Sequence, residues 1–494
     1  MTRPDPFARP IGRRQLLRGM GALAGGLAIA PYGLAGCGDG ATAGSGSSIA
    51  AVPIGVDPGV PWWMQNNFQP VGAEVEVFDL PVTGALPTEL TGLYLRNGSN
   101  PQSGTTGHWF LGDGMLHGLR LDGGRASWYR NRYVRTPLYE QNIDFTESGA
   151  PFGGNNQSNV SVIHHAGRLL TSGEVGAAYE IDPSDLGTVG VQDFDGKLNT
   201  SFTAHAKIDP TTGYLHFFGY WFGPPYLTYH VADTTGQIVH SAEIDLPTSS
   251  MMHSFAITDR DAIFYDLPVV FAPGAAVDGG FPFAWDAHKS ARLGVLPLGG
   301  TADQIRWVEI EPCYVFHELN AYRDGDQIVI DVCRFDEMMN GERFGDVHEA
   351  LHRWRIDTGG ASLGFRDEVL FDRPMDFPVH DRRVTGRRNR HGWLTTIRHH
   401  PDTLVLGGVM HIDYQTGDQR LWDPGPNRHV GEAFFAPGGS GEGEGWLLAY
   451  TYDHARDAST FIVLDAQDVE RGPVAEVALP QRVPFGFHGW WVPD

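Results

Sequence analysis

The stretch from Lys207 to Phe222, KIDPTTGYLHFFGYWF, decides the fold class of this chain. Its two apolar runs flank Asp-Pro-Thr-Thr-Gly, in which the aspartate side chain can cap a turn and the glycine can adopt positive φ. Residues 229–244, YHVADTTGQIVHSAEI, and residues 321–335, AYRDGDQIVIDVCRF, have the same plan. Each of the three stretches predicts a β-hairpin.

Turn chemistry of this kind dominates the body of the protein. The 494 residues include 64 glycines and 33 prolines, which indicates many turns rather than long helices. Helical periodicity is confined to residues 343–354, RFGDVHEALHRW, where we predict a helix. Strands do not alternate with helices, so the sequence disfavours a parallel α/β architecture and predicts an all-β protein.

A β-propeller accounts best for so many hairpins in one unit. About 440 residues, 53–494, contain no glycine-rich boundary and no WD or kelch repeat, and they exceed a simple β-sandwich. A closed ring of four-stranded blades leaves few exposed sheet edges at this size. The apolar terminal stretch VPFGFHGWWVPD, residues 483–494, is then expected to be the strand that completes the first blade.

The amino terminus has the features of an export signal. Arg13 and Arg14 precede a glycine-rich apolar run that is too short, and too interrupted by Pro31, for a membrane-spanning helix. This pattern predicts a twin-arginine signal peptide over residues 1–36. LAGC resembles a lipobox and makes Cys37 the expected lipid anchor, whereas cleavage near Ala-Thr-Ala at 41–43 is the alternative.

The predicted processing leads to an acidic protein at the cell envelope. Residues 37–52 would form a Gly/Ser-rich tether, followed by one β-propeller domain over 53–494 on the periplasmic side of a membrane surface. Removal of residues 1–36 takes away five arginines and one aspartate, so the net charge would change from −23 to −27. Such a charge excludes nucleic acid as a partner. Cys313 and Cys333 form no disulfide framework, and their spacing leaves their pairing open.

Four histidines have apolar or small neighbours: His205, His253, His317 and His488. Their spacings of 48, 64 and 171 residues match no local metal motif but correspond roughly to blades or multiples of blades. Because the inner strands of a propeller converge on its axis, the four imidazoles could meet there. Imidazoles suit iron, copper, nickel or zinc, and oxygen chemistry would be the use of such a site. The alternative is four unrelated core histidines.

The strings around these histidines resemble the carotenoid cleavage oxygenase family over nearly the whole body. LYLRNGSNP (93–101), HWFLGDGMLHGLRL (108–121), MMHSFAITDRDAIFYDLPVVF (251–271), PCYVFHELNAY (312–322) and FGFHGWW (485–491) are similar to successive motifs of that family. The resemblance implies a bacterial member with a seven-bladed propeller whose loops and short helices cap the axis. It also implies Fe(II) held by the four histidines, O2, and cleavage of a carbon–carbon double bond to two carbonyl products.

The family also orients three of the ligating histidines through carboxylates. The matching positions are Glu174, Asp376 and Glu432, and Asp376 departs from the usual glutamate. A shorter carboxylate could reach its imidazole through a water or let the imidazole shift. Apart from the metal ligands, no catalytic side chain is expected, because the metal activates the oxygen.

The expected substrate is an apolar conjugated molecule, most simply a carotenoid or apocarotenoid. Residues 271–286, FAPGAAVDGGFPFAWD, read as a loop that could line the mouth of an apolar tunnel or could simply pack. Cleavage of stilbene-like phenolics, isomerisation without cleavage, and a non-catalytic lipid-binding propeller remain as alternatives. The sequence leaves the oligomeric state open.

Overall fold

The fold is an all-β ring of seven sheets, seen in a computed structural model that describes residues 54–143, 156–274, 281–339, 347–400 and 402–494. The predicted signal peptide and tether therefore lie outside the described residues. In chain order the first strands are β1 (Glu76–Leu80), β2 (Val82–Gly84), β3 (Gly92–Ser99), β4 (Gly114–Asp122), β5 (Arg125–Tyr133), β6 (Ser161–His165), β7 (Arg168–Ser172), β8 (Ala178–Ile181), β9 (Thr188–Gln192), β10 (Lys207–Ile208), β11 (Leu215–Tyr220), β12 (Leu227–Ala232), β13 (Ile238–Ile244), β14 (Phe255–Ile257), β15 (Asp261–Asp266), β16 (Val269–Phe271) and β17 (Phe283–Trp285).

The remaining strands follow the same antiparallel plan. They are β18 (Ala291–Pro297), β19 (Arg306–Ile310), β20 (Tyr314–Asp324), β21 (Gln327–Phe335), β22 (Glu349–Asp357), β23 (Gly364–Phe371), β24 (Met375–Val379), β25 (His391–Arg398), β26 (Val405–Asp413), β27 (Gln419–Trp422), β28 (Arg428–Val430), β29 (Phe434–Pro437), β30 (Gly445–Asp453), β31 (Ala458–Asp465), β32 (Ala475–Ala478) and β33 (Gly489–Pro493).

Each large sheet is one blade of the propeller. Blade 1 has the order β33-β3-β4-β5-β1, and the next five blades are β6-β7-β8-β9, β10-β11-β12-β13, β14-β15-β18-β19, β20-β21-β22-β23 and β24-β25-β26-β27. Blade 7 contains β2, β32, β31, β30 and β28, with β29 also paired to β30. Strands β16 and β17 form a separate hairpin that projects between β15 and β18. The prediction of an all-β, seven-bladed propeller is confirmed.

The hairpins arise from the turns that the sequence predicts. Strands β10 and β11 pair across Asp209 to Gly213, where the Asp209 side chain accepts a hydrogen bond from the Thr211 amide and Gly213 has φ +71°. Glycine is needed at this last position because side chains rarely tolerate that backbone conformation. Strands β12 with β13, and β20 with β21, form the other two predicted hairpins.

The prediction of a helix over residues 343–354 is wrong for residues 347–354, the part that the structure describes. Residues from Glu349 onward belong to β22, which pairs with β21 on one side and β23 on the other. Both faces of this strand are largely buried, so apolar residues do not alternate cleanly and their spacing imitates a helix.

Helical structure among the described residues is limited to short pieces. One α-helix is α1 (Pro137–Gln141). The residue before it, Thr136, caps its amino end, because the Thr136 hydroxyl accepts a hydrogen bond from the Tyr139 amide. The 3₁₀ helices are Trp62–Met64, Asn66–Phe68, Trp109–Leu111, Ala302–Gln304, Arg382–Val384 and Val469–Arg471. None of the described helices is long and apolar enough to cross a membrane. Cys313 and Cys333 are both buried and unpaired.

Strands from the two ends of the described chain pair with strands of the blades at the opposite end of the sequence and close the ring. The terminal strand β33 pairs with β3, with Trp490 opposite Leu95, so the expected completion of the first blade is confirmed. Near the other end, β2 pairs with β32 of blade 7. Blades 1 and 7 therefore each depend on strands that are far apart in sequence, which closes the ring without a free edge between them.

Candidate metal centre

The four candidate histidines lie at equivalent places in four blades. His205 and His253 directly precede the first strands of their blades, β10 and β14, and His317 is in the first strand of its blade, β20. His488 immediately precedes β33, the edge strand of blade 1. Because each of these strands is the one that its blade places towards the axis, the four side chains reach a common point.

The structure brings the four imidazoles together. Their Nε2 atoms lie within 4.8 Å of one another. The Nε2 atom of His253 is 2.8 Å from that of His205 and 3.2 Å from that of His317, which is 3.2 Å from that of His488. His253, His317 and His488 are at most 9% exposed.

The three predicted carboxylates hold the outer nitrogens of three of these rings. Nδ1 of His253 is 2.7 Å from Glu174, Nδ1 of His317 is 2.7 Å from Asp376, and Nδ1 of His488 is 2.8 Å from Glu432. Tyr220 donates a hydrogen bond to the second oxygen of Glu174, and the Gly489 amide donates one to that of Glu432. In the described part of the chain, no carboxylate contacts Nδ1 of His205.

The seven residues come from seven different blades. In ring order they are His488, Glu174, His205, His253, His317, Asp376 and Glu432, supplied by blades 1 to 7 respectively. Three neighbouring blades, 3 to 5, give histidines in succession, while blades 2, 6 and 7 give the acids. The site is therefore a property of the whole ring, and no single hairpin contains it.

The chemistry of these donors fits a metal cation. A carboxylate next to Nδ1 requires the imidazole proton to be on Nδ1, so Nε2 presents a lone pair. Nε2 lone pairs at 2.8–3.2 Å repel one another unless a proton or a cation lies between them. Burial, the largest effect, lowers the pKa of His317 to about 4, and burial together with the other histidines depresses the pKa of His205. Neutral imidazoles are the form that binds metal.

The departure at Asp376 does not interrupt the contact with its imidazole. Asp376 reaches His317 directly, so neither a bridging water nor a shifted ring is needed. A β-bulge lies between Asp376 and Val379, and Phe377 within it has φ +52°. Bulges redirect the side chains of a strand, and this one sets the backbone from which the shorter carboxylate extends. The buried Cys333 thiol lies beside Asp376.

An aromatic cavity of about 80 Å³ lies against the histidine cluster. Its walls include the rings of Trp109, Phe110, Phe222, Phe281, Phe283, Phe316, Phe335, Phe377 and Phe487, and His253, His317 and His488 lie at its inner end. Phe281 and Phe283 belong to the loop predicted to line a tunnel mouth, although residues 275–280 of that loop are outside the described residues. Sequence reasoning missed most of these walls, yet Phe316 and Phe487 directly precede ligand candidates.

Comparison with known proteins identifies the group to which this architecture belongs. A profile described as retinal pigment epithelial membrane protein matches residues 68–493. A relative from Mycobacterium tuberculosis named carotenoid cleavage oxygenase is 36% identical over 87% of this chain and 97% of its own length. The lignostilbene dioxygenase of Pseudomonas brassicacearum superimposes with a TM-score of 0.81 at 28% identity, over 88% of this chain and 98% of that one. A cobalt-substituted Synechocystis apocarotenoid oxygenase gives 0.77 at 25% identity, over 88% and 98%.

A seven-bladed propeller with four histidines at its axis is the architecture of a class of metalloenzymes, the oxygenases that have this propeller fold. The chain belongs to the carotenoid cleavage oxygenase family, as the resemblance of its motifs predicts. The prediction that it is an enzyme, an oxidoreductase of this family, is confirmed by the same relatives.

Proposed function

We propose that the protein is a non-haem Fe(II) dioxygenase that cleaves a carbon–carbon double bond of a carotenoid or apocarotenoid into two carbonyl products. The observation that carries the proposal is the convergence of four imidazole nitrogens at the end of a cavity walled by aromatic rings. The reaction balances without a reductant, because the double bond breaks and each of its carbons receives one atom of O2.

His205, His253, His317 and His488 would hold the metal. Bound Fe(II) would supply the redox chemistry that makes O2 reactive towards an alkene, which zinc, having no redox chemistry, cannot supply. Glu174, Asp376 and Glu432 keep the proton of each ring on Nδ1 and fix the plane of the ring. Three of the four Nε2 atoms are therefore oriented before any ligand arrives.

The aromatic walls favour a long apolar substrate. Ring faces such as those of Phe316 and Phe487 can stack on a conjugated chain, and burial of its surface contributes about 25 cal/mol per Å². The same walls exclude water from the reacting atoms. No protein proton donor or acceptor is assigned to the chemistry, because neither the double bond nor the carbonyl products require a proton transfer.

Cleavage of a stilbene-like phenolic is the second candidate, supported by the likeness to the lignostilbene dioxygenase. A phenol hydroxyl needs a polar partner in a buried site. Among the described residues that line the aromatic cavity there is no lysine, arginine or tyrosine, and Asn159 already donates to two backbone carbonyls. Apart from the histidines and their acids, the polar groups that remain on these walls are Gln157 and the indole N–H of Trp109, which is buried without a hydrogen-bond partner. This sparse polar lining favours the carotenoid class.

We also propose that the protein acts on the outer side of a membrane after export. Arg13 and Arg14 support twin-arginine transport, which carries folded proteins and would follow metal loading. Cys37 in LAGC supports a lipid anchor that keeps the enzyme at a surface where apolar substrates dissolve.

The test is to load the purified protein with Fe(II) without oxygen and then expose it to ¹⁸O2 with a panel of carotenoids, apocarotenoids and stilbenes. We expect one carbonyl oxygen in each product to carry the label. His488→Ala, treated identically, is the matched control. Protein that binds one iron per chain and cleaves nothing would support the non-catalytic lipid-binding alternative, and protein that binds no metal would refute the four-histidine site.

A further inference from the structure

A second and larger cavity meets the histidine cluster from the opposite side. This axial channel has a volume of about 310 Å³ and is lined by His205, His317 and His488 among its inner residues. Pro210 and Arg383, which are exposed, mark its outer end. His205 lines this channel but not the aromatic cavity, and it is the least buried of the four histidines.

The order of residues along the inner strands separates the two cavities. Phe316 and Phe487, which precede their histidines, line the aromatic cavity. Glu318 and Trp490, which follow the same histidines, line the axial channel. These two segments therefore run from the apolar cavity, past the histidine, into a channel with polar and charged walls.

Three polar side chains form a tier in the channel directly beneath the histidines. Lys207, Ser254 and Glu318 follow His205, His253 and His317 by one or two residues, so the chain segments that carry three of the histidines also carry the tier. Lys207 forms an ion pair with Oε1 of Glu318, and the Ser254 hydroxyl donates to the same oxygen at 3.2 Å. Oε2 of Glu318 is buried without a hydrogen-bond partner, on a side chain that is 3% exposed.

We propose that the axial channel is the route by which the metal ion enters and leaves the four-histidine cluster, with Glu318 as its transit ligand and Lys207 as the gate. The proposal rests on metal binding by the four histidines. An unpartnered carboxylate oxygen is a hard ligand for a partly hydrated divalent cation, and the Ser254 hydroxyl is a second oxygen beside it. Lys207 repels the ion and occupies the other carboxylate oxygen, so it must move for the ion to pass.

The aromatic cavity is the poorer route for an ion. Its described walls offer a hydrated cation no charged group other than the acids already engaged with the histidines. Moving an ion out of water without compensating ligands is strongly unfavourable. The cations at the outer end of the channel are themselves engaged, since Arg383 pairs with Asp381 and Arg382 lies 3.8 Å over the Trp490 ring. Their positive charge slows metal exchange in both directions, which suits a site that must retain its ion.

The two gate residues give predictions of opposite sign. Metal-free protein is mixed with Co(II), and its uptake is followed by the visible absorption of the bound ion. Glu318→Gln removes the transit charge and is expected to slow uptake by about 10-fold, whereas Lys207→Met removes the repelling charge and is expected to accelerate it by about 10-fold. Loss of Co(II) to a chelator should change in the same direction for each variant.

Three variants serve as controls. Glu368→Gln, on the outer strand β23 of the same blade, and Lys197→Met, an exposed lysine, change the net charge equally but lie away from the channel and should leave both rates within twofold. Phe335→Leu widens the aromatic cavity and should also leave them unchanged. Equal rates for Glu318→Gln and the parent protein, or faster uptake by Phe335→Leu alone, would overturn the proposal. Failure of the parent to bind Co(II) would instead refute the four-histidine site.

Discussion

Removing the Asp376 carboxylate should weaken metal binding through His317, although Asp376 is not itself one of the proposed metal ligands. Asp376→Ala leaves the Nδ1–H of His317 buried without its acceptor, which costs about 1–3 kcal/mol. The ring can also change tautomer and plane, and loss of such a partner typically reduces metal affinity or activity by about 10- to 100-fold. At 1.36 kcal/mol per decade this range is about 1.4–2.7 kcal/mol, so the two estimates agree.

A graded series separates charge from contact. Asp376→Asn retains an acceptor of the same size but loses the charge, and it should cost about 10-fold in affinity because a neutral hydrogen bond is weaker by about 1 kcal/mol or slightly more. Affinity is measured by competition between the protein and a chelator for Co(II), and turnover is measured in parallel with Fe(II).

Blade 5, which carries His317, also provides a matched control. Asp367 contacts Nδ1 of His352 at 2.7 Å, the same geometry between strands β22 and β23, but this pair is not in the histidine cluster. Asp367→Ala should therefore leave Co(II) affinity unchanged. If Asp376→Ala binds Co(II) as tightly as the parent protein, or if Asp367→Ala weakens binding equally, the carboxylate has no specific role in holding His317.

Three further predictions concern the terminal histidine, acid stability and export. His488→Ala should fold with a thermal unfolding midpoint close to that of the metal-free parent but should bind far less iron by metal analysis. Trp491→Ala should instead cost about 3–5 kcal/mol of stability through loss of a buried ring. Full iron content in His488→Ala would exclude His488 from the site. Burial lowers the pKa of His216, His230, His411 and His429 to about 4. Between about pH 6.5 and pH 4 the unfolded chain therefore binds more protons than the folded protein. The free energy of unfolding should fall as the pH decreases through this range, by up to about 1.4 kcal/mol per pH unit for each histidine. Urea titrations at several pH values test this, and His216→Asn should give a shallower dependence; an equally steep one would contradict the assignment. Replacing Arg13 and Arg14 by lysine should prevent export, and Cys37→Ala should release the mature protein from membranes; normal amounts in the envelope, or unchanged membrane fractionation, would count against the respective signal.

The hairpins were predictable because the residue types within each turn favour the turn conformation without help from distant residues, as at Asp209 to Gly213. The strand β22 was not, because it is paired and buried on both sides and its Leu351 and Trp354 fall at helical spacing. Periodicity reports which faces are buried, and a strand that is buried on both faces carries no such signal.

The site was predictable to the level of its residues but not of its contacts. Sequence motifs indicate the four histidines and the three acids. The direct contact of Asp376 with His317, in contrast, is made from a strand with a β-bulge at Phe377, and no sequence pattern predicts that bulge. The pairing of Lys207 with Glu318 could not be predicted either, because the two residues are 111 positions apart and meet only when blades 3 and 5 converge on the axis.

The distribution of the seven site residues over seven blades has a consequence for biosynthesis. His488 immediately precedes β33, and β33 cannot pair with β3 until all the blades between them have been made. A chain that lacks His488 and β33 can form hairpins, but it cannot assemble the complete cluster. A metal ion held by all four histidines would stabilise only the closed ring, so metal binding would be coupled to ring closure. Loss of the final strand, by premature termination or proteolysis, would thus yield a protein that is both open and metal-poor, which a cell can recognise and degrade.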